Sequence, residues 1–369
     1  MKSFLLFIVF ISFIMNSHQT LYLTLDIRKQ ANFLMNINDT KILAIYSAIK
    51  NNSAIAMAVS TNINCDSPSK EGAKCYDGKP IKNQNRTSSF QYFEKKYEGN
   101  VYKDNFIING TNIGEREFIY SKVDNFGGLI SFDPSQIDLL YKNNIISNKV
   151  IKYGTVNSDS ITVSIGEKYS TGELKYYTSC DMVKGYFGCY LKKISISKSR
   201  EDFLNHNIID SFNVTGTESI VEFFHPLEKS NSIYGPNNII EQMISFFEKV
   251  GFKCGSHKCS SQDEKVAYLE IGGKAIEFKE LNFETSTNID HLLFGFQTIP
   301  NVSAIIDADK QQIYFYSDLE GVLVGNESYF WYFIIFGVVI VLFAGAFVYC
   351  CVIKKKKKMN INVLDNNLV

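Results

Sequence analysis

One apolar segment near the carboxyl end limits where the rest of the chain can lie relative to a membrane. Residues 329–353 carry no charged side chain and are long enough to cross a bilayer as a helix. Five lysines follow at 354–358, and the positive-inside rule predicts that they lie in the cytoplasm. The sequence therefore predicts one transmembrane helix at 329–353 and a short cytoplasmic tail at 354–369. A buried globular helix is the alternative.

The amino end predicts a secretory signal. Lys2 precedes a largely apolar run at 4–15, and polar residues follow at 16–20, so we interpret residues 1–18 as a signal peptide. A buried strand or a membrane anchor is the alternative. Together the two ends predict a membrane protein of the secretory pathway or cell surface, with an ectodomain of about 300 residues that is lumenal or extracellular.

Charge and composition argue against a nucleic acid partner and against a disordered chain. The chain has 38 basic and 38 acidic residues, so its zero net charge gives no reason to expect a nucleic acid partner. Hydrophobic residues make up 45%, which excludes a disordered chain. We find no glycine-rich phosphate loop, and the five histidines offer no evident triad partner in the sequence. We therefore expect no cofactor and no bound metal.

The cysteines predict disulfides that close short loops. Six of the eight lie in the expected ectodomain, where oxidising conditions favour disulfide formation. Pairing neighbours along the chain gives Cys65–Cys75, Cys180–Cys189 and Cys254–Cys259. Fifteen connectivities are formally open. A zinc half-site is the alternative for the last pair, which encloses His257.

Most of the ectodomain pattern is typical of strands. Short apolar segments are separated by polar turns, and only the segments 135–143 and 237–250 have helical periodicity. The late apolar strands at 125–132 and 291–296 have similar sequences and similar places in their halves. We therefore predict an all-β-dominated fold with two copies of one β lobe, at 21–165 and 166–320.

Several of these segments, in this order, resemble pepsin-like aspartic proteases. The resemblance covers residues 30–317 and implies a bilobal double β-barrel with few short helices, here followed by the transmembrane helix. The segments that carry it are Phe126-Gly-Gly-Leu-Ile-Ser-Phe132, Leu140–Asn148, Tyr234-Gly-Pro236, Leu292-Leu-Phe-Gly295, Asn301–Asp307 and Lys310–Tyr316.

Proteases of this family need two carboxylates that share one proton, each in an Asp-Thr/Ser-Gly turn, one per lobe. The resemblance places Asn51-Asn52-Ser53 at the first turn, and the Asn51 amide cannot ionise. Three registers stay open for the second turn. They place Leu227, Val214 or Asp210 at the catalytic position, and only Asp210 is a carboxylate. In every register at least one catalytic aspartate is absent.

Two other kinds of site follow from the sequence. The resemblance places Tyr92 at the flap tyrosine over a cleft that Ser53 would line. Asn-x-Ser/Thr sequons predict N-glycosylation in a secreted chain. The candidate sites are Asn38, Asn85, Asn109, Asn213, Asn301 and Asn326.

The sequence therefore predicts a type I membrane protein with an aspartic-peptidase-like ectodomain that is catalytically inactive. Its expected action is to bind an extended peptide or a protein by strand-like hydrogen bonds. Two alternatives stay open. One is an active aspartic endopeptidase with an unconventional site, and the other is a β-rich surface glycoprotein or receptor unrelated to proteases.

Overall fold

Strands make up most of the part of the chain that the computed structural model describes, as the alternating sequence pattern predicts. The structure describes residues 20–27, 32–38, 40–48, 57–60, 76, 82–92, 95–121, 128–156, 159–216, 219–225, 231–255, 257–261, 265–278, 280–299, 301–320, 322–324 and 349.

The first half contains ten strands and one helix among the described residues. They are β1 (Leu21–Asp26), β2 (Asn32–Ile37), β3 (Thr40–Ser47), β4 (Met57–Ser60), β5 (Lys82–Tyr92), β6 (Lys95–Ile108), β7 (Thr111–Ser121), β8 (Gly128–Ser131), α1 (Pro134–Lys142), β9 (Val150–Tyr153) and β10 (Ser160–Ile165).

The second half continues with fifteen strands and two helices in the part that the structure describes. They are β11 (Thr178–Asp181), β12 (Gly188–Tyr190), β13 (Lys193–Ser197), α2 (Arg200–Leu204), β14 (Ile208–Asn213), β15 (Ile220–His225), β16 (Ser232–Pro236), α3 (Asn237–Lys249), β17 (Phe252–Gly255), β18 (Lys258–Ser261), β19 (Val266–Ile271), β20 (Lys274–Phe278), β21 (Glu280–Ser286), β22 (Leu292–Gly295), β23 (Ser303–Asp307), β24 (Gln312–Tyr316) and β25 (Leu323–Val324).

The two longer helices form where the 3.6-residue pattern predicts them. The Asp133 side chain caps α1 by accepting a hydrogen bond from the Gln136 backbone N–H, and Asn143 ends the helix. Helix α3 begins after Pro236, which has no backbone N–H to leave unpaired. Its buried face is the one that the sequence predicts: Ile239, Ile240, Met243, Phe246 and Phe247.

The two halves repeat one order of strand pairing. In the first half β3 lies parallel to β8, β8 antiparallel to β4, and β4 parallel to β7. In the second half β15 lies parallel to β22, β22 antiparallel to β16, and β16 parallel to β21. We call these four-strand groups the first and second pairing units. The similar late segments of the sequence, in β8 and β22, hold the same place in each unit.

The strands are distributed over three sheets within the described chain. A thirteen-stranded sheet has the order β11-β24-β23-β9-β10-β1-β2-β3-β8-β4-β7-β6-β5. A seven-stranded sheet has the order β12-β15-β22-β16-β21-β18-β17, and a five-stranded sheet the order β14-β13-β19-β20-β25. The largest sheet joins the two halves because β9 pairs with β23. The described residues up to Val324 belong to one compact unit.

Aromatic contacts also connect the two pairing units. Tyr46, in β3, and Tyr153, in β9, are fully buried, and their hydroxyl oxygens lie 2.6 Å apart. The Tyr153 ring stacks on Phe224 of β15, with ring centroids 4.7 Å apart. Burial raises the pKa of both phenols, so each keeps its proton and one hydroxyl donates to the other.

Two of the predicted disulfides are present, Cys180–Cys189 and Cys254–Cys259. The second occupies the cysteines of the zinc half-site alternative, which is therefore wrong. Cys65 and Cys75 lie outside the described residues.

No helix among the described residues is both long enough and apolar enough to cross a membrane. Of the predicted transmembrane segment 329–353, only Tyr349 is described. The predicted signal peptide 1–18 and tail 354–369 lie outside the described residues.

The tyrosine pair predicts a non-additive effect on stability. Tyr153→Phe removes one hydroxyl and leaves the other buried without this partner, so we expect unfolding free energy to fall by about 1–3 kcal/mol. Tyr46→Phe combined with Tyr153→Phe removes both hydroxyls, and should cost less than the sum of the single changes. Urea denaturation of the four proteins measures the coupling. Additive single and double effects would contradict a direct hydrogen bond.

Candidate functional site

The two pairing units bring two polar residues to corresponding strand ends. Strand β3 ends at Ser47, which lies opposite Ser131 of β8. Strand β15 ends at His225, which lies opposite Gly295 of β22. The residues just before these ends, Tyr46 and Phe224, both contact Tyr153. Ser47 and His225 therefore occupy matching places in the first and second units.

A long hairpin of β5 and β6 packs on the first unit. Tyr92 lies at the end of β5, paired with Lys95 across the hairpin. It is buried in a cluster with Phe90, Tyr97, Val101, Ile119, Ile45 of β3 and Leu129 of β8. Side chains two apart on a strand share a face, so Ile45 and Ser47 lie on the same side of β3. Tyr92 thus packs on the side of the first unit that carries Ser47.

The second unit buries a carboxylate between two imidazoles. Glu222 is fully buried on β15, and its Oε2 lies 3.4 Å from His225 Nε2 and 3.3 Å from His291 Nε2. Its Oε1 accepts a hydrogen bond of 2.8 Å from the Phe187 backbone N–H. Asp290 Oδ1 lies 2.8 Å from His291 Nδ1, on the far side of that ring. We call Glu222, His225, His291 and Asp290 the carboxylate–histidine cluster.

A local distortion of β15 allows Glu222 and His225 to meet. Residues three apart on a regular strand point to opposite faces. Phe224 has a φ of 64°, and the register with β22 shifts between Glu222 and His225. A bulky residue rarely adopts this left-handed conformation, which costs about 1–3 kcal/mol and is found most often at functional sites.

The cluster holds opposite charges in its interior. Burial alone would raise the pKa of Glu222, but hydrogen bonds from His225 and His291 lower it to about 2. Burial alone would lower the pKa of His291, but Glu222, and then Asp290, raise it above its ordinary value. Glu222 is therefore ionised, and the raised pKa of His291 favours the positively charged form of that imidazole beside it.

The predicted catalytic positions have different outcomes. Asn51, Ser53 and Leu227 lie outside the described residues. Asp210 was one candidate for a catalytic turn, and that placement is wrong. It lies inside β14, opposite Ile196, at the edge of the five-stranded sheet. Its carboxylate accepts a hydrogen bond of 2.9 Å from Lys249, which lowers its pKa.

Val214, the remaining candidate for the second turn, is buried six residues before the start of β15. A valine there supplies no ionisable group.

The sequence reasoning missed the carboxylate–histidine cluster. It found no partner for the histidines, whereas two of them contact Glu222. A signal was present, because Glu222 is the only charged residue within the apolar run 220–224. A carboxylate in a fully buried strand needs charged or hydrogen-bonding partners.

Candidate glycosylation sites in the described chain are all on the surface. Asn38, Asn85, Asn109, Asn213 and Asn301 are exposed. Asn326 lies outside the described residues. Their accessibility is compatible with modification, and glycosylation itself stays a prediction.

Within the described chain, no group of three or more histidine, cysteine or acidic side chains has an arrangement that could hold a metal ion. In the carboxylate–histidine cluster, both imidazoles instead approach the same carboxylate oxygen.

No protein-family model and no curated protein matches this sequence. The interpretation of the site therefore depends on its geometry and on the residues that carry the resemblance.

The cluster predicts a stability maximum in mildly acidic solution. The lowered pKa of Glu222 stabilises the fold above its ordinary value of 4.5, and this contribution is lost as pH falls toward 2. The raised pKa of His291 stabilises the fold below 6.5, and that contribution is lost as pH rises through the folded-state value. Both contributions are present between pH 4.5 and 6.5.

Glu222→Gln should remove this dependence and cost about 3 kcal/mol near the middle of that window. Thermal unfolding at a series of pH values measures the difference between variant and wild type. His257→Asn is the control, because His257 is exposed and lies outside the cluster. The same pH profile for Glu222→Gln and wild type would exclude the proposed charge pairing.

Proposed function

We propose that this is a single-pass type I membrane protein whose ectodomain is a catalytically inactive, pepsin-like domain that binds an extended peptide or protein. The observation that carries the proposal is the repeated pairing unit, with a polar residue at the matching strand end in each half. Pepsin-like proteases have one active-site turn in each of two similar lobes, and a fold that repeats one pairing unit supports membership of that family.

The positions of the family-like segments support the pepsin-like part. Residues 128–131 of the first such segment form β8, and Leu292–Gly295 forms β22. These strands have the same neighbours, in the same relative directions, in the two units. Segments chosen by resemblance alone thus hold equivalent structural places.

The chemistry at the strand ends supports inactivity. Ser47 and His225 end the two strands, and neither side chain is a carboxylate. Glu222 is a carboxylate, but its pKa of about 2 keeps it ionised against His225 and His291. A protease dyad instead needs one proton shared between two carboxyl groups. Among the described residues, no second carboxylate contacts Glu222.

The hairpin supports a peptide as the ligand. Strand β5 is the last strand of the thirteen-stranded sheet, and among described residues it pairs only with β6. Its other edge can pair with an added strand, which is how many proteins hold extended peptides. Tyr92, at the end of this strand, packs on the first unit beside the Ser47 side of β3.

We expect full-length protein in detergent to show no pepstatin-sensitive peptide cleavage between about pH 3 and 7, where an aspartic dyad holds its single proton. The readout is cleavage of a mixed peptide library, followed by mass spectrometry, with pepsin as the positive control. Asp210→Asn should leave the result unchanged. Cleavage that pepstatin blocks would establish an active endopeptidase instead, and its loss in Asp210→Asn would restore Asp210 as catalytic.

The predicted topology has a separate test. With an epitope tag after Val369, protease added to intact cells should digest the ectodomain and leave the tag intact, because the five lysines retain the tail inside. Immunoblotting before and after permeabilisation distinguishes the two sides of the membrane. A tag that is digested on intact cells would contradict a type I orientation.

A further inference from the structure

We propose that Asn213 carries an N-linked glycan, and that this glycan shields the outer edge of the five-stranded sheet from pairing with a strand of another molecule. N-glycans are added to asparagine in Asn-x-Ser/Thr sequons of secreted chains. The inference therefore rests on the lumenal or extracellular ectodomain of the proposed function, and it selects one sequon and gives its glycan a role.

Backbone conformation distinguishes Asn213 from the other sequon asparagines in the described chain. Asn38, Asn85, Asn109 and Asn301 have φ values between 46° and 62°, in the left-handed region. Asparagine adopts this region more readily than most residues, so the backbone is a sufficient reason for its presence at these positions. Asn213 has no positive φ and ends the strand β14, where asparagine is disfavoured. Its presence there needs another reason.

The sequon Asn213-Val214-Thr215 is accessible in the folded protein. The asparagine and the threonine are exposed, whereas Val214 belongs to the buried core and is 6% exposed. Glycosylation joins Nδ2 of the asparagine to the anomeric carbon of an oligosaccharide carried on a lipid pyrophosphate. The pyrophosphate leaves, and the amide loses one proton and keeps one N–H. The folded chain can therefore hold a bulky, hydrated group at this position.

The strand that carries Asn213 lies at the edge of its sheet. Strand β14 is the first strand of the five-stranded sheet, and within the described chain it pairs only with β13. The strand is largely apolar: Ile209 is 40% exposed, and the Phe212 ring lies 5.6 Å from that of Phe246. An edge of this kind can pair with a strand of a second molecule unless charge, proline, a bulge or a covering group prevents it.

Two features already hinder pairing along β14, and both lie before its end at Asn213. The register with β13 shifts near Ile208, which distorts the start of the strand. In the middle, Asp210 accepts hydrogen bonds of 2.9 Å from the Ser211 backbone N–H and from Lys249. The Lys249 contact neutralises the only charge on the strand. A glycan at Asn213 protects the remaining end, because it leaves no room for a neighbouring strand.

Three variants separate the glycan from the asparagine that carries it. Thr215→Ala removes the sequon and leaves Asn213 in place, whereas Thr215→Ser changes the same residue and keeps the sequon. Thr111→Ala is the matched control, because it removes the sequon of Asn109, at the turn between β6 and β7.

The experiment uses full-length protein from cells with a eukaryotic secretory pathway, purified in detergent. Peptide N-glycosidase in heavy-oxygen water converts each glycosylated asparagine to labelled aspartate, which mass spectrometry locates. Sedimentation velocity at increasing protein concentration then measures self-association. We expect label at Asn213. We also expect Thr215→Ala to shift toward larger species, whereas Thr215→Ser and Thr111→Ala sediment as the wild type does.

A second substitution tests whether the larger species pair through β14. Ser211 is exposed and lies on the same face of the strand as Asn213, so Ser211→Lys places a charge beside the missing glycan. Added to Thr215→Ala, it should restore the sedimentation of the wild type. Association that Ser211→Lys leaves unchanged would overturn the role of this edge.

The remaining outcomes separate this inference from the proposed function. An unmodified Asn213 in a chain that is glycosylated at other sequons would overturn this inference alone, and so would wild-type sedimentation of Thr215→Ala. A chain without a glycan at any sequon would overturn the lumenal or extracellular ectodomain, and this inference with it.

Discussion

A carboxylate that is buried away from water needs charged or hydrogen-bonding partners in place of its lost hydration, and Glu222 is such a group. The partners of this carboxylate come from three separate segments of the chain. Phe187 donates a backbone N–H, His225 approaches from the end of the same strand, and His291 approaches from just before β22. Removing any of these partners would leave charge in a region of low dielectric. The arrangement of the second pairing unit around its strand end therefore depends on this one ionised group.

The first unit has the same strand order and a different interior. Its corresponding strand ends in Ser47, and the apolar hairpin cluster around Tyr92 packs beside it. Tyr153 lies between the two units, with its hydroxyl hydrogen-bonded to Tyr46 and its ring stacked on Phe224. The two pairing units thus share one strand arrangement, but the side chains around the strand end are largely apolar in the first unit and charged in the second. The two equivalent acids that an aspartic dyad needs are therefore not the residues that end these two strands.

Much of the fold could be predicted because it depends on local patterns. The apolar face of α3 follows from residues three and four apart, and the loop disulfide Cys254–Cys259 follows from cysteines five residues apart. The candidate site depends on residues that are distant in the chain. His291 is 69 residues from Glu222, and nothing in the local sequence of either one indicates the other. Asp210 was misplaced for the same reason, because a short motif could not distinguish a turn from the edge strand β14.

The sequence by itself determined the strand-rich class, the helical faces and the short disulfide loops, since periodicity and local spacing decide these. The tertiary structure alone decided the parallel pairing of β3 with β8 and of β15 with β22, because parallel strands come from separated parts of the chain. It also decided that Glu222 has two imidazole partners, while His225 Nδ1 has no hydrogen-bond partner among the residues that the structure describes. These pairings are decided by burial. In water each of these side chains would be satisfied by solvent, and only a packed interior requires each polar atom to find a partner.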